Sequence, residues 1–115
     1  MEIDLGHNQL NAVTMSYFRL LKNLRYLDLS NNKFNLELTP QLFQANDLEF
    51  IDLSNNNFNG SLSIIPPMKH IKKMDISNNN LSGSLPPITN FTHLTAFNAA
   101  NNSFSGLLYS LPPAM

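Results

Sequence analysis

An asparagine returns at positions 8, 32, 56, 79 and 102, at intervals of 24, 24, 23 and 23 residues, and each time in the same company. Four segments align around it: LRYLDLSNNKF over residues 24–34, LEFIDLSNNNF over 48–58, IKKMDISNNNL over 71–81 and LTAFNAANNSF over 94–104. A fifth, incomplete copy opens the chain as IDLGHNQL over residues 3–10. A unit this short cannot bury its apolar face alone, so successive copies must stack and share one continuous core. That constraint excludes most other architectures before composition is considered.

Within each unit the apolar positions alternate with polar ones, the period of a strand. Leu27, Leu29, Ile51 and Leu53 are expected to turn inward, with Asp28 and Asp52 outward. Stacked units would then pair their strands into a parallel sheet on a concave side, about 4.8 Å apart. Past the strand the backbone loses its ladder partners, and a carboxamide, with two donors and an acceptor oxygen, can satisfy them. Asn8, Asn32, Asn56, Asn79 and Asn102 are therefore expected to form a buried ladder. Apolar residues precede each strand at intervals of three: Phe18/Leu21/Leu24, Leu42/Ala45/Leu48, Ile65/Met68/Ile71 and Ile88/Phe91/Leu94. That period fits short 3₁₀ turns on an outer arc. Pro66, Pro67, Pro86 and Pro87 argue against long helices there, and Gly60, Gly83 and Gly106 mark a tight turn after the asparagine.

The pattern L-x-x-L-x-L-x-x-N-x-L resembles the leucine-rich-repeat family along the whole chain. FNGSL at 58–62, LSGSLP at 81–86 and, more loosely, FSGLL at 104–108 resemble the L-S-G-x-I-P signature of its plant-type extracellular branch. That branch includes receptor-like kinases, receptor-like proteins and polygalacturonase inhibitors. The resemblance implies an α/β-type repeat solenoid: a right-handed superhelix with a parallel concave sheet and short 3₁₀ or irregular convex arcs. It implies one domain over 1–115, in about five coils of 23–24 residues: 1–23, 24–47, 48–70, 71–93 and 94–115. Plant-type members carry cysteine-containing caps, and this chain has no cysteine. It is therefore expected to be a fragment whose uncapped ends could self-associate. The resemblance also implies an extracellular or cell-surface setting.

Outward strand positions define the expected binding face. Glu2, Asp4, Gly6 and His7 belong to the first coil; Arg25, Tyr26, Asp28, Ser30 and Asn31 to the second. The third contributes Glu49, Phe50, Asp52, Ser54 and Asn55, the fourth Lys72, Lys73, Asp75, Ser77 and Asn78. Thr95, Ala96, Asn98, Ala100 and Asn101 complete it. Tyr26 and Phe50 should lie side by side, and exposed aromatics are typical binding anchors. Asp4, Asp28, Asp52 and Asp75, with Asn98, form a column read as part of the repeat's framework, offset by Arg25, Lys72 and Lys73, rather than as a metal or acid–base site.

Other function classes find little footing. A formal net charge of −1 offers no basic face for phosphates, so nucleic acid is not an expected partner. No run approaches the roughly 18 apolar residues of a membrane span. The amino terminus, with Glu2 and Asp4, does not read as a signal peptide. His7, His70 and His93 have no cysteine and no serine on a strained elbow beside them; His70 and His93 occupy the same repeat position and read as surface residues. Sequons at Asn59, Asn80, Asn90 and Asn101 are candidate glycan acceptors, though an asparagine-rich repeat generates such triplets by accident. Asn90, in the convex arc, is the best candidate, and Asn101 the least suited, since a glycan there would crowd the concave edge.

No cofactor and no catalysis are expected. The expected function is to bind a protein or peptide ligand or co-receptor as part of a receptor-like ectodomain. Inhibition of a cell-wall polygalacturonase is the alternative, and an ice-adsorbing or structural solenoid a more remote one.

Overall fold

The computed structural model describes residues 2–8, 23–38, 47–61, 68–84 and 91–104. Five short strands, one from each expected coil, form a parallel sheet: β1 (Glu2–Asp4), β2 (Tyr26–Asp28), β3 (Phe50–Asp52), β5 (Lys73–Asp75) and β7 (Ala96–Asn98). The register is uniform, running Ile3, Leu27, Ile51, Met74 and Phe97 from rung to rung. Each central residue turns into the core, and Leu27, Ile51 and Met74 are buried. Leu29, Leu53 and Ile76 are buried beside them. At the two outer rungs Ile3, Leu5, Phe97 and Ala99 are only partly buried, because stacking covers one side of an outer rung.

The inward asparagines tie these rungs together. Asn56 donates from Nδ2 to the carbonyls of Leu53 and Ser54 in its own coil and to Leu29 in the coil before. Its Oδ1 accepts the N–H of Phe34 at 3.2 Å. Asn79 and Asn102 repeat this arrangement, reaching back to Leu53 and Ile76 and accepting from Phe58 and Leu81. Asn32 donates likewise to Leu5, Leu29 and Ser30. Full burial is not what holds them. Asn32, Asn56, Asn79 and Asn102 are half-buried at the mouth of the turn, and Asn8 is exposed and, among the described residues, bonds Leu5 and Gly6 of its own coil.

Beyond the asparagine the chain departs from expectation. Gly60 and Gly83 lie in strands rather than in a tight turn, within a second parallel sheet of β4 (Asn59–Ser61), β6 (Asn80–Gly83) and β8 (Ser103–Phe104). Three coils thus show both sheets, and an isolated bridge between Glu37 and Asn59 extends the second one toward the coil before. The cause is that backbone groups leaving the turn find partners one coil away. Asn57 N–H reaches Phe34 O at 2.7 Å, and Asn80 N–H reaches Phe58 O at 2.8 Å. Glycine is needed for close approach. Gly60 and Gly83 have φ of 94° and 78°, and a Cβ on Gly60 would stand 2.6 Å from Glu37 Cγ.

Between the two sheets Phe34 and Phe58 stack with centroids 5.4 Å apart. Leu81 takes the equivalent place in the next coil and is buried. Of the apolar triplets before each strand, Leu24, Leu48, Met68, Ile71, Phe91 and Leu94 are buried. Leu94 N–H bonds Phe91 O at 3.0 Å, the i→i+3 closure of a 3₁₀-type turn. Phe18, Leu21, Leu42, Ala45, Ile65, Ile88, the proline pairs, Gly106 and the sequon at Asn90 lie outside the described residues. Among the described residues there is no helix, and none long and apolar enough to cross a membrane.

The asymmetry between Asn8 and Asn56 is measurable. Replacing Asn56 with alanine strands groups in two coils and should cost about 1–3 kcal/mol. Replacing Asn8 removes only bonds that an exposed turn can exchange for water, so its effect should be clearly smaller. Denaturant midpoints of the two variants would decide; equal losses would contradict an inter-coil role for the carboxamide.

Candidate binding face

The uniform register converts each outward repeat position into a column across the sheet. One column runs Glu2, Tyr26, Phe50, Lys73 and Ala96; the next runs Asp4, Asp28, Asp52, Asp75 and Asn98. Just before the strands, Arg25, Glu49, Lys72 and Thr95 form a third along one rim, joined by Glu49 N–H to Arg25 O, Lys72 N–H to Glu49 O and Thr95 N–H to Lys72 O. All ten residues expected to present the binding face, Arg25, Tyr26, Asp28, Glu49, Phe50, Asp52, Lys72, Lys73, Asp75 and Asn98, fall on these three columns.

Tyr26 and Phe50 stack with centroids 4.3 Å apart and planes 5° from parallel. Adjacent rungs at matching registry leave the two rings little alternative, and such pairs contribute about 0.5–1.5 kcal/mol beyond their buried area. Both remain half-exposed. A shallow hollow lies to either side. One, of about 400 Å³, is lined by Glu2, Arg25, Tyr26, Glu49 and Phe50. The other, of about 240 Å³, includes Phe50, Asp52, Lys73, Asp75, Ala96 and Asn98, where the small Ala96 side chain leaves room. Burial raises the Tyr26 phenol pKa above its ordinary value, and the carboxylates of Asp28, Asp4, Asp52 and Glu2 add to the effect.

Two of the three cations expected to offset the aspartate column pair elsewhere. Arg25 and Lys72 close on Glu49 instead, at 2.7 and 2.9 Å. Their hydrogen bonds, Lys72's first and then Arg25's, lower the Glu49 pKa to about 2. A pKa lowered in the folded state favours folding above the ordinary carboxylate range, and that contribution is lost progressively as pH falls from that range to about 2. The rim clamp is thus intact at any physiological pH. Its exposure to solvent keeps its effect on stability small.

Each aspartate is held by its own turn. Asp28 Oδ1 accepts from Ser30 N–H at 2.9 Å and Ser30 Oγ at 2.6 Å. Asp52 with Ser54 and Asp75 with Ser77 repeat the arrangement. This overturns one assignment: Ser30, Ser54 and Ser77 do not line the face. They are 4, 5 and 4% exposed, tucked beneath the carboxylates they serve. Asn98 shows that an amide can take the same place, accepting from Ala100 N–H at 3.0 Å.

Sequence reasoning also missed a second task for asparagine. His7, Asn31, Asn55, Asn78 and Asn101, each one residue before the inward asparagine, have φ between 55° and 58°. Asparagine tolerates this left-handed region better than most residues. The Asn-Asn doublets carried the signal: the first residue makes the bend and the second bridges the coils. Asn101 and Asn78 also join through their side chains at 2.8 Å. Of the sequon asparagines, Asn59 and Asn80 occupy neighbouring rungs of the second sheet, away from the aromatic stack. His70 and His93 are exposed in turns before their strands.

Asp52 sits between two like charges. Burial raises its pKa most; Ser54 acts against the shift, and repulsion from Asp75 and Asp28 adds to it. A carboxyl whose pKa is raised on folding favours the fold at low pH and loses that advantage as pH rises through the raised value. Asp52→Asn keeps the acceptor, as Asn98 does, and removes the charge. The variant should be at least as stable as the parent at pH 7, with the difference closing as pH falls below the ordinary carboxylate range. Thermal melts across that range would test it; a large loss at pH 7 would contradict it.

Residues 1–58, just over half of the chain, match the family model described as leucine rich repeat, and residues 70–91 match a second of the same description. A search of the curated proteins gives no match. Among solved structures, the chain is similar to one from the Arabidopsis receptor kinase HAESA in complex with the peptide hormone IDA and the co-receptor SERK1. The identity is 28% and the TM-score 0.83, over 90% of this chain and 18% of that one. A chain of the BIR3–SERK2 complex from Arabidopsis thaliana is 28% identical with a TM-score of 0.77, over 98% of this chain and 60% of that one. The ectodomain of the Arabidopsis thaliana receptor kinase SOBIR1 is 33% identical with a TM-score of 0.69, over 77% and 50%. The chain therefore spans less than two thirds of each of these relatives. With its repeat, its paired parallel sheets and these matches, the chain belongs to the leucine-rich-repeat family.

Proposed function

We propose that this chain is a protein- or peptide-binding module of a receptor-like ectodomain, acting outside the cell, and that its concave sheet is the recognition surface. The observation that carries this reading is the Tyr26–Phe50 stack, an aromatic pair left half-exposed on a sheet face that is polar apart from these rings and Ala96. A folded domain gains by covering such rings, and aromatic side chains dominate binding energy at interfaces. The similar HAESA structure is a complex with a peptide hormone and a co-receptor, which agrees with a protein or peptide partner.

The mechanism is rigid presentation. Strands paired in register hold Arg25, Tyr26, Asp28, Glu49, Phe50, Asp52, Lys72, Lys73, Asp75 and Asn98 at set positions, so little side-chain freedom is lost on docking. Arg25, Glu49 and Lys72 are restrained by ion pairs, Tyr26 and Phe50 by stacking, and the aspartates by their serines. Such a surface binds and orients; it does not carry out chemistry on what it holds. Asn59 and Asn80, on the second sheet, are the sequons whose glycans would leave this face clear.

Two other readings have less behind them. The aromatic and charged columns do not offer the regular threonine array that ice adsorption wants, and the described residues include only Thr92 and Thr95. Polygalacturonase inhibition would use the same face and would appear as a pectin-degrading enzyme among captured partners.

A screen of the chain against secreted peptides and receptor ectodomains tests the proposal. A partner found this way should bind at least tenfold more weakly to the Tyr26→Ala, Phe50→Ala double variant, whose circular dichroism should match the parent. Unchanged binding by the folded variant would place recognition elsewhere.

A further inference from the structure

The concave columns are acidic beyond the chain as a whole. Glu2, Asp4, Asp28, Glu49, Asp52 and Asp75 supply six carboxylates against the three cations Arg25, Lys72 and Lys73, whereas the whole chain has a formal net charge of −1. Two of those cations are already engaged with Glu49. Asp28, Asp52 and Asp75 each use Oδ1 for the serine turn, and among the described residues no hydrogen bond reaches their Oδ2 atoms.

The aromatic stack gives this charge a place to act. Phe50 covers one face of Tyr26 at 4.3 Å. The other face looks toward the first coil, where the registered residue is Glu2, itself exposed. The hollow of about 400 Å³ opens here, with Glu2, Arg25 and Glu49 around the rings. Asp4 and Asp28 stand two residues further along their strands, about 6.6 Å away. An aromatic face bordered by carboxylates suits a guanidinium, which stacks flat on the ring while its N–H edges reach the oxygens.

We propose that the open face of Tyr26, with Glu2 in the lining of the hollow and Asp4 and Asp28 in the neighbouring column, seats an arginine side chain of an extended partner segment. This rests on the concave-face reading and names the chemistry of what that face takes. The partner is basic at this point, and its arginine lies against Tyr26 with Asp28 as the carboxylate best held for it. Arg25 lines the same hollow, with its guanidinium paired to Glu49 along the rim.

Random twelve-residue peptides displayed on phage and selected on the intact 115-residue chain would test this. Selected peptides should be enriched in arginine, and synthetic copies with citrulline at that arginine should bind at least tenfold more weakly. The same loss should follow from Glu2→Gln, Asp4→Asn and Asp28→Asn combined, in a protein with parental circular dichroism, and binding should weaken with added salt. Asp28→Asn alone, which keeps the turn acceptor, provides a milder variant should the triple fail to fold, and a loss of several-fold is expected. Peptides that need Tyr26 and Phe50 but tolerate citrulline and the neutralised carboxylates would overturn the arginine seat while leaving the concave reading in place. Peptides indifferent to every concave substitution would overturn both.

Discussion

The structure depends on a carboxamide that bonds to two coils at once. A solenoid coil has no core of its own, and the strand-to-arc bend is where its backbone would otherwise be left without partners. Asn56, Asn79 and Asn102 each donate to two carbonyls of their own coil and one of the previous coil, and accept an N–H from that previous coil. The outcome is that neighbouring bends are welded in register, and with them the strands that precede and follow. Both sheets inherit their alignment from this link. The residue before each bridge completes it by taking the left-handed conformation that lets the chain leave the strand.

Much of the fold was legible because one interaction recurs at one interval. Leu27, Ile51 and Met74 could be assigned inward and Tyr26, Phe50 and Lys73 outward from alternation alone, and the register places them so. The second sheet was not legible. The segments that form it, NGS at 59–61 and NLSG at 80–83, are poor in the β-branched and aromatic residues that usually mark a strand. Their pairing comes from backbone groups one coil away, which is a property of stacking and leaves no periodic trace in a single segment. Glycine read as a tight turn for the same reason: the strand around it was not anticipated.

The candidate face was legible in position and misread in its electrostatics. Spacing predicted that Tyr26 and Phe50 would be neighbours, and they stack. It did not predict which charges would pair. A column of aspartates beside lysines and an arginine reads as mutual neutralisation, yet Arg25 and Lys72 turn along the rim to Glu49, the carboxylate directly between them in register. The aspartates turn instead to a serine two residues on, a contact too local for a column-by-column reading to reveal. Ser30, Ser54 and Ser77 were therefore misplaced on the surface: strand alternation was carried past the end of the strand, where the bend has already begun.

The serine-locked aspartate separates what the coil needs from what it shows. Just before each of these turns, the residues at 25–26, 49–50, 72–73 and 95–96 take no part in the bend, the bridge or the buried core. A coil can therefore exchange those two side chains and keep its shape, as Arg-Tyr, Glu-Phe, Lys-Lys and Thr-Ala already show within one chain. New specificity in such a molecule is written two letters per turn, on a frame that does not have to be reinvented.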